Sequence, residues 1–252
     1  MSQTVSKTFQ IIEFLSNFTK SQPLKDIAAV CNLPTTTAHR LLNNLCSLGY
    51  AVHEESKGYK LSYRLFEISS HCITNSSLIS IATPFLDEMS EELGESVHLV
   101  VRDGNDIIYV YKVTRSVGSV QMVSRIGMRL PMYRCAVGKA ILATLSDEEI
   151  RRVFETTKIV ATTKNTITSF DNLMKQIYQV RTLGYAIDDE ENEEGIKCVA
   201  TMIRGNGDAI GYAISVSSLK FRMTDQRTDE IVKCLLATKQ KIEEQLQYTI
   251  IA

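Results

Sequence analysis

The chain has 252 residues, 44 % of them hydrophobic and 23 % charged, with a net charge of −1. That is the composition of an ordinary soluble protein of two average domains or one large one. It excludes a surface coated in basic charge, no run approaches the roughly 18 apolar residues of a membrane span, and the scattered cysteines and histidines do not form a zinc-ligand cluster.

The N-terminal stretch MSQTVSKTFQIIEFL has mixed polarity and no small-residue cleavage site, so it does not read as a secretory signal. Six cysteines without a C-x-x-C pair read as reduced thiols of a cytoplasmic protein. Residues 1–75 carry seven Lys/Arg and five Asp/Glu, and the remainder 21 and 24. This asymmetry permits nucleic-acid contact by the N-terminal part without requiring it.

Residues 4–19 read as a helix, with Phe9, Ile12, Leu15 and Phe18 at three-residue spacing and Ile11 beside them. Ser21-Gln22-Pro23 ends it. A short second helix, 24–31, places Leu24, Ile27, Ala28 and Cys31 on one face. Asn32-Leu33-Pro34 is a tight turn. A third helix, 35–48, opens on three threonines, which are poor in helix interiors but suited to a helix start. Ala38, Leu41, Leu42 and Leu45 form its apolar stripe, and Gly49 stops it. Tyr50-Ala51-Val52 and Tyr59-Lys60-Leu61 are two short strands around Ser56-Lys57-Gly58. Helix, helix, turn, helix and hairpin together are the order of a winged helix-turn-helix.

Thr74-Asn75-Ser76-Ser77 is a polar break, and 79–93 is a connecting helix ending at Gly94. Beyond it, VHLVVRDGNDIIYVYKVTR is a hairpin around Asp103-Gly104-Asn105, and SVQMVSRIG is a third strand. AVGKAILATL and DEEIRRVFE are helices, as is 170–183, stopped by Gly184. Residues 196–203 and 209–217 are strands joined by Arg204-Gly205-Asn206-Gly207. Residues 225–247 form a closing helix.

The third helix carries the strongest functional signal. With its aliphatic stripe inward, Thr36, His39, Arg40 and Asn43 face the other way. These groups donate to phosphate oxygens or read base edges, and a recognition helix works through its N-terminal residues. Lys57 at the hairpin tip is placed for the adjacent backbone. The same spacing also fits a small helical bundle with a solvated polar face. The acidic run 188–194 reads as a solvated loop, since it lacks the alternating ligands and glycine of a calcium loop. Val137-Gly138-Lys139-Ala140 lacks the features of a phosphate-binding loop. Gly205-Asn206-Gly207 reads as a turn, and Cys198 as a strand cysteine.

Three stretches in order, LKDIAAVCNLPTTTAHRLLNNLCSLGY, RIGMRLPMYRCAVGKAILA and GYAIDDEENEEGIKCVA, resemble the IclR family of bacterial transcriptional regulators over nearly the whole chain. The resemblance implies an α+β chain: a winged helix-turn-helix DNA-binding domain (1–70), a linker helix (71–94), and a GAF-like antiparallel-sheet domain with flanking helices (95–252). It implies operator double-stranded DNA as partner, assembly as a homodimer or homotetramer, a small organic or sugar acid as effector, and neither cofactor, metal nor membrane. DNA contacts fall to Thr35, Thr36, Thr37, His39, Arg40, Asn43 and Lys57. The effector pocket falls to Ala136, where the family also uses glycine, Asp188, Cys198, Ser215 and Ser217, with Met122 beside them. Ser215 and Ser217 share a strand face, and backbone N–H groups at the start of the 136–145 helix suit a carboxylate.

The SRIGMRLPMYRCAVGKAIL block most resembles the family's regulators of hexuronate and keto-deoxy sugar acid breakdown, so a repressor of a sugar-acid operon is expected. Three other readings stay open: an enzyme using Cys198 or Asp188 with an N-terminal dimerisation domain, a protein-docking module, and an activator of aromatic-acid catabolism.

Overall fold

The computed structural model describes residues 3–74, 77–115, 123–204 and 211–250. The chain divides into two compact units, Met1–Asn75 and Ser76–Ala252.

The first unit runs α1 (Gln3–Leu15), α2 (Leu24–Val30), α3 (Thr35–Ser47), β1 (Ala51–Glu54), β2 (Gly58–Leu61) and α4 (Arg64–Thr74). Ile11 and Leu15 of α1, Ile27 and Ala28 of α2, and Ala38, Leu41, Leu42 and Leu45 of α3 close into one core with Ala51 and Tyr59 of the hairpin. Each fully buried aliphatic contributes roughly 1.5–3 kcal/mol. The three-residue spacing in α1 misplaced two aromatics. Such a row drifts around the helix, whereas Ile11 and Leu15, four apart, share the inward face. Phe9 is 56 % exposed and Phe18, beyond the helix end, 43 %. The turn after α2 puts Asn32 at φ 51°, a left-handed conformation that asparagine tolerates, and tucks Leu33 inward.

The hairpin is antiparallel, with Val52 opposite Lys60, and Gln22 bridges Tyr59 on its free edge. Gly58 is irreplaceable there. Its φ is +107°, and a Cβ would stand 2.1 Å from the carbonyl oxygen of Gln22.

The second unit runs α5 (Ser77–Leu93), β3 (Ser96–Asp103), β4 (Asp106–Val113), β5 (Arg129–Pro131), α6 (Ala136–Leu142), α7 (Asp147–Thr156), α8 (Phe170–Leu183), β6 (Ala186–Asp189), β7 (Ile196–Ile203), β8 (Tyr212–Leu219) and α9 (Asp225–Ile250). Six strands form one sheet in the order β5-β4-β3-β8-β7-β6, each pair antiparallel. Leu86 and Met89 of α5 pack with Ile231 and Leu235 of α9 on Leu99, Val199 and Val216 on one face of the sheet. Ala140 and Ile141 of α6, Ile150 of α7 and Ile177 of α8 cover the other face over Val100, Ala200 and Ala213.

Within the segment 71–94, α4 ends at Thr74 and α5 packs in the second unit's core. Two expectations change here. The strand expected over 119–127 is not found where it is described: 123–127 holds no strand, and the edge strand is Arg129–Pro131. The acidic run is not wholly solvated, because Asp188 lies within strand β6 and both Asp188 and Glu191 are 4 % exposed. The Gly205-Asn206-Gly207 turn lies outside the described residues.

Candidate functional site

In the first unit, α3 presents the face anticipated from its spacing. Thr35, Thr36, His39, Arg40 and Asn43 are exposed and Thr37 is half-buried. Pro34 holds the N-cap position at φ −56° and ψ 138°, without a side-chain cap. The threonines therefore occupy the first turn itself instead of capping it, and the N-terminal N–H groups stay available to an anion. The amide Nδ2 of Asn43 lies 3.4 Å from Nε2 of His39, one turn earlier. Lys57 is exposed in the hairpin turn. Glu54 at the base of that turn is engaged by Lys60 and by the Ser21 hydroxyl, 2.8 Å away. Those contacts hold the Glu54 carboxyl below its ordinary pKa range, the Lys60 hydrogen bond first.

In the second unit, sheet register assembles a cavity from residues far apart in sequence. Asp188 of β6 pairs with Cys198 of β7, Cys198 with Ser217 of β8, and Ser217 with Ser96 of β3. One row on, Ala200, Ser215 and His98 stand side by side. Side chains at alternate positions share a face, so Cys198, Ser215, Ser217, His98 and Asp188 converge beneath α6. They line a cavity of about 40 Å³ together with Tyr109, Ser124, Cys135, Ala136, Asn192 and Glu193. Five of the six residues carried over from the family resemblance line it. Met122 lies outside the described residues.

Besides apolar residues, six lining groups were not expected there: His98, Tyr109, Ser124, Cys135, Asn192 and Glu193. The signal for His98 was available, since one imidazole sits inside the apolar run SVHLVV. Its ring is buried and pushed down to about 3, chiefly by burial and then by the Lys112 ammonium. It is therefore neutral at physiological pH. Lys112 Nζ donates to Ser124 Oγ at 2.9 Å, which leaves the Ser124 hydrogen for His98 Nε2, 3.0 Å away. The ring proton is thereby assigned to Nδ1, facing Ser215 Oγ at 3.4 Å.

Asp188 is the electrostatic centre of the cavity. Burial, and after it the neighbouring Glu191 carboxylate, push it up to about 7, against a hydrogen bond from the Glu191 main-chain N–H and the charge of Lys139. Asp188 Oδ1 accepts that N–H at 2.7 Å. The Ser217 hydroxyl donates to Cys198 Sγ at 3.0 Å. Burial raises the Cys135 thiol to about 12 and Cys198 well above its usual value. Neither thiol is therefore a nucleophile at neutral pH, which removes the chemistry an enzyme reading would need from Cys198. Among the described residues no group of acidic, histidine and cysteine side chains is arranged to hold a metal ion, and no helix is long and apolar enough to cross a membrane. Cys31, Cys46, Cys135, Cys198 and Cys234 are free thiols.

A winged helix-turn-helix unit followed by a six-stranded sheet unit is the arrangement of a DNA-binding regulator. The family model described as the IclR helix-turn-helix domain matches residues 4–55, and that for the bacterial transcriptional regulator IclR C-terminal matches residues 70–244. The chain belongs to the IclR family of transcriptional regulators. It is 32 % identical over 246 residues to the HTH-type transcriptional regulator KdgR of Escherichia coli, covering 97 % of this chain and 93 % of that protein. It is 29 % identical over 252 residues to the DNA-binding transcriptional repressor YiaJ of the same organism, covering 99 % and 89 %. The crystal structure of Thermotoga maritima IclR superposes with a TM-score of 0.81 at 29 % identity, covering 98 % of this chain and 99 % of that one. These relatives are regulators and not enzymes, which settles the enzymatic alternative.

Proposed function

We propose that this regulator represses a sugar-acid catabolic operon and is released from its operator by a small hydroxylated carboxylate bound in the cavity. Two copies present α3 to successive major grooves, about 34 Å apart on a palindromic operator. Thr35, Thr36, Thr37, His39, Arg40 and Asn43 meet bases and phosphates, and Lys57 meets the flanking backbone. Phe9, Tyr63 and Phe66, each more than half exposed, favour self-association of the first unit.

The observation that carries the reading is the convergence of Ala136, Asp188, Cys198, Ser215 and Ser217 on one cavity. Its lining offers serine hydroxyls, a tyrosine, an asparagine and a carboxyl group, the equipment for a polyhydroxylated ligand. The cavity has room for about three waters, less than a six-carbon acid needs, so its walls move apart to admit one. A ligand that fits only a displaced wall has different affinities for two arrangements of the protein, the requirement for shifting an equilibrium.

The test is titration onto the DNA upstream of its own gene at several salt concentrations, with and without D-gluconate, D-galacturonate and 4-hydroxybenzoate. Operator binding with a steep salt slope, relieved by a sugar acid, is expected. Relief only by 4-hydroxybenzoate would favour an aromatic-acid regulator. Lower transcription from that promoter in a deletion strain would make it an activator. A flat salt response with no DNA shift would favour a protein-docking role for the winged unit.

A further inference from the structure

The loop after β6 is anchored from behind by a buried charge. Lys139 of α6 is fully buried, and its Nζ donates to Glu191 Oε1 at 2.5 Å and to the side chain of Gln176 on α8. The Glu191 main-chain N–H holds Asp188, as described above, and its carbonyl accepts from Thr166 Oγ1 at 2.6 Å. The second carboxylate oxygen, Oε2, is buried without a hydrogen-bond partner among the described residues. Asn192 and Glu193, the next two residues, face the cavity. Glu191 thus ties α6, α8 and the Thr166 segment to the stretch that carries three cavity residues.

A buried ion pair is a poor source of net stability, because desolvation offsets its Coulombic attraction and an apolar pair of equal volume serves the fold as well. What such a pair supplies is one fixed arrangement. We propose that Glu191, held by Lys139, is a positioning residue of the effector cavity: it fixes the Asp188 carboxyl and the Asn192–Glu193 wall where ligand hydroxyls meet them. This rests on the cavity being the effector site. Asp188 is faced by Tyr109 from β4, Cys135 ahead of α6, Cys198 from β7 and Glu193 from its own loop, with Glu191 and Lys139 behind it. Of the last two, Glu191 disfavours its ionised form and Lys139 favours it.

The experiment uses the full chain without ligand first. The Asp188 carboxyl is titrated by carbon-13 NMR, its signal assigned with Asp188→Asn, in the wild type, Glu191→Gln and Glu191→Ala. Binding of D-gluconate and D-galacturonate is then measured by calorimetry. Glu191→Gln keeps an oxygen for Lys139 but loses the charge, so the Asp188 midpoint falls by about one pH unit or more while affinity stays within roughly threefold. Glu191→Ala frees the loop, so affinity falls at least about tenfold, as when other supporting partners are removed, and amide protection at 191–193 drops. Restored binding in Glu191→Gln after loss in Glu191→Ala is the signature of positioning. An unmoved Asp188 midpoint in Glu191→Gln, or wild-type affinity in Glu191→Ala, overturns the proposal, even if the alanine variant melts earlier. If neither acid binds the wild type but the midpoint moves and loop protection drops, the sugar-acid reading fails and the positioning role stands.

Discussion

The face of α3 and the cavity of the second unit are both candidate recognition surfaces, but they are built by opposite means. Helix α3 carries six of the seven proposed DNA contacts within nine consecutive residues, and four buried aliphatics on its other side orient them. The cavity draws on β3, β4, β6, β7, β8, the start of α6 and two loops, over about half the chain. A surface on one helix fails as a unit when its rear stripe is cut. A cavity assembled by sheet register loses one contact at a time. The largest prediction follows from this difference. Leu42→Ala, at a fully buried position, should destabilise the first unit by about 2–5 kcal/mol and remove operator binding, while the second unit's thermal transition holds. Equal shifts of both transitions would mean that the units unfold together.

The same difference decides what sequence alone could reveal. The stripe of α3 is a local 3.6-residue period, so Ala38, Leu41, Leu42 and Leu45 were legible at once, and the outward face with them. That Ser215 and Ser217 share a face was legible because strand alternation is local too, while their place in a pocket was implied by the family resemblance. The neighbours of these serines were not legible. That His98 stands opposite Ser215, or Asp188 opposite Cys198, is a matter of register between strands 117 or 10 residues apart in number. The acidic run misled for a related reason: Glu191 is buried only because Lys139, 52 positions earlier, neutralises it, and nothing near either residue announces the pair. Phe9 misled in the other direction. Periodicity marks an apolar residue without saying whether its own unit or another copy covers it.

Arg40→Ala is next in size. It should weaken operator binding by about 1–3 kcal/mol if the guanidinium reads a base, with no change in the second unit's melting. Gel shifts on the native operator and on single-base variants separate the possibilities. A loss confined to one operator position marks a base contact, and an equal loss on all sequences marks a phosphate contact.

A cavity residue should behave differently, since its effect depends on pH. Asp188 titrates near 7 in the fold and near 4 when unfolded. Its protonated form is the one the fold favours. Its contribution to stability is therefore fully present below about pH 4, is lost as pH rises to about 7, and is constant above that. Asp188→Asn mimics the protonated form at every pH. Relative to wild type, the variant's stability advantage should grow as pH rises from about 4 to about 7 and hold above that, in the second unit's transition only. A pH-independent difference between the two proteins would mean that Asp188 ionises normally.

The smallest effect is expected at the hairpin, and it tests whether the first unit is really one surface. Lys57 is separated from α3 by the whole of β1, yet the hairpin is rigidly built. Its main-chain N–H closes the turn onto the Glu54 carbonyl at 3.1 Å, Gly58 is locked against Gln22, and Glu54 is already committed to Lys60 and Ser21. Among the described residues the Lys57 ammonium makes no ion pair, although Glu55 stands in the same exposed turn. A charge held this way suits a proposed phosphate contact rather than base reading. Lys57→Ala should therefore cost less than about 1 kcal/mol, equally on every operator variant, because an exposed phosphate contact is screened by salt. The slope of log affinity against log salt should become shallower by about 0.9 for each protomer bound. An unchanged slope would leave the hairpin off the duplex and confine recognition to α3. A loss that varied with sequence would make the hairpin a second reading element, and the contrast between one contiguous helix face and one dispersed cavity would no longer hold.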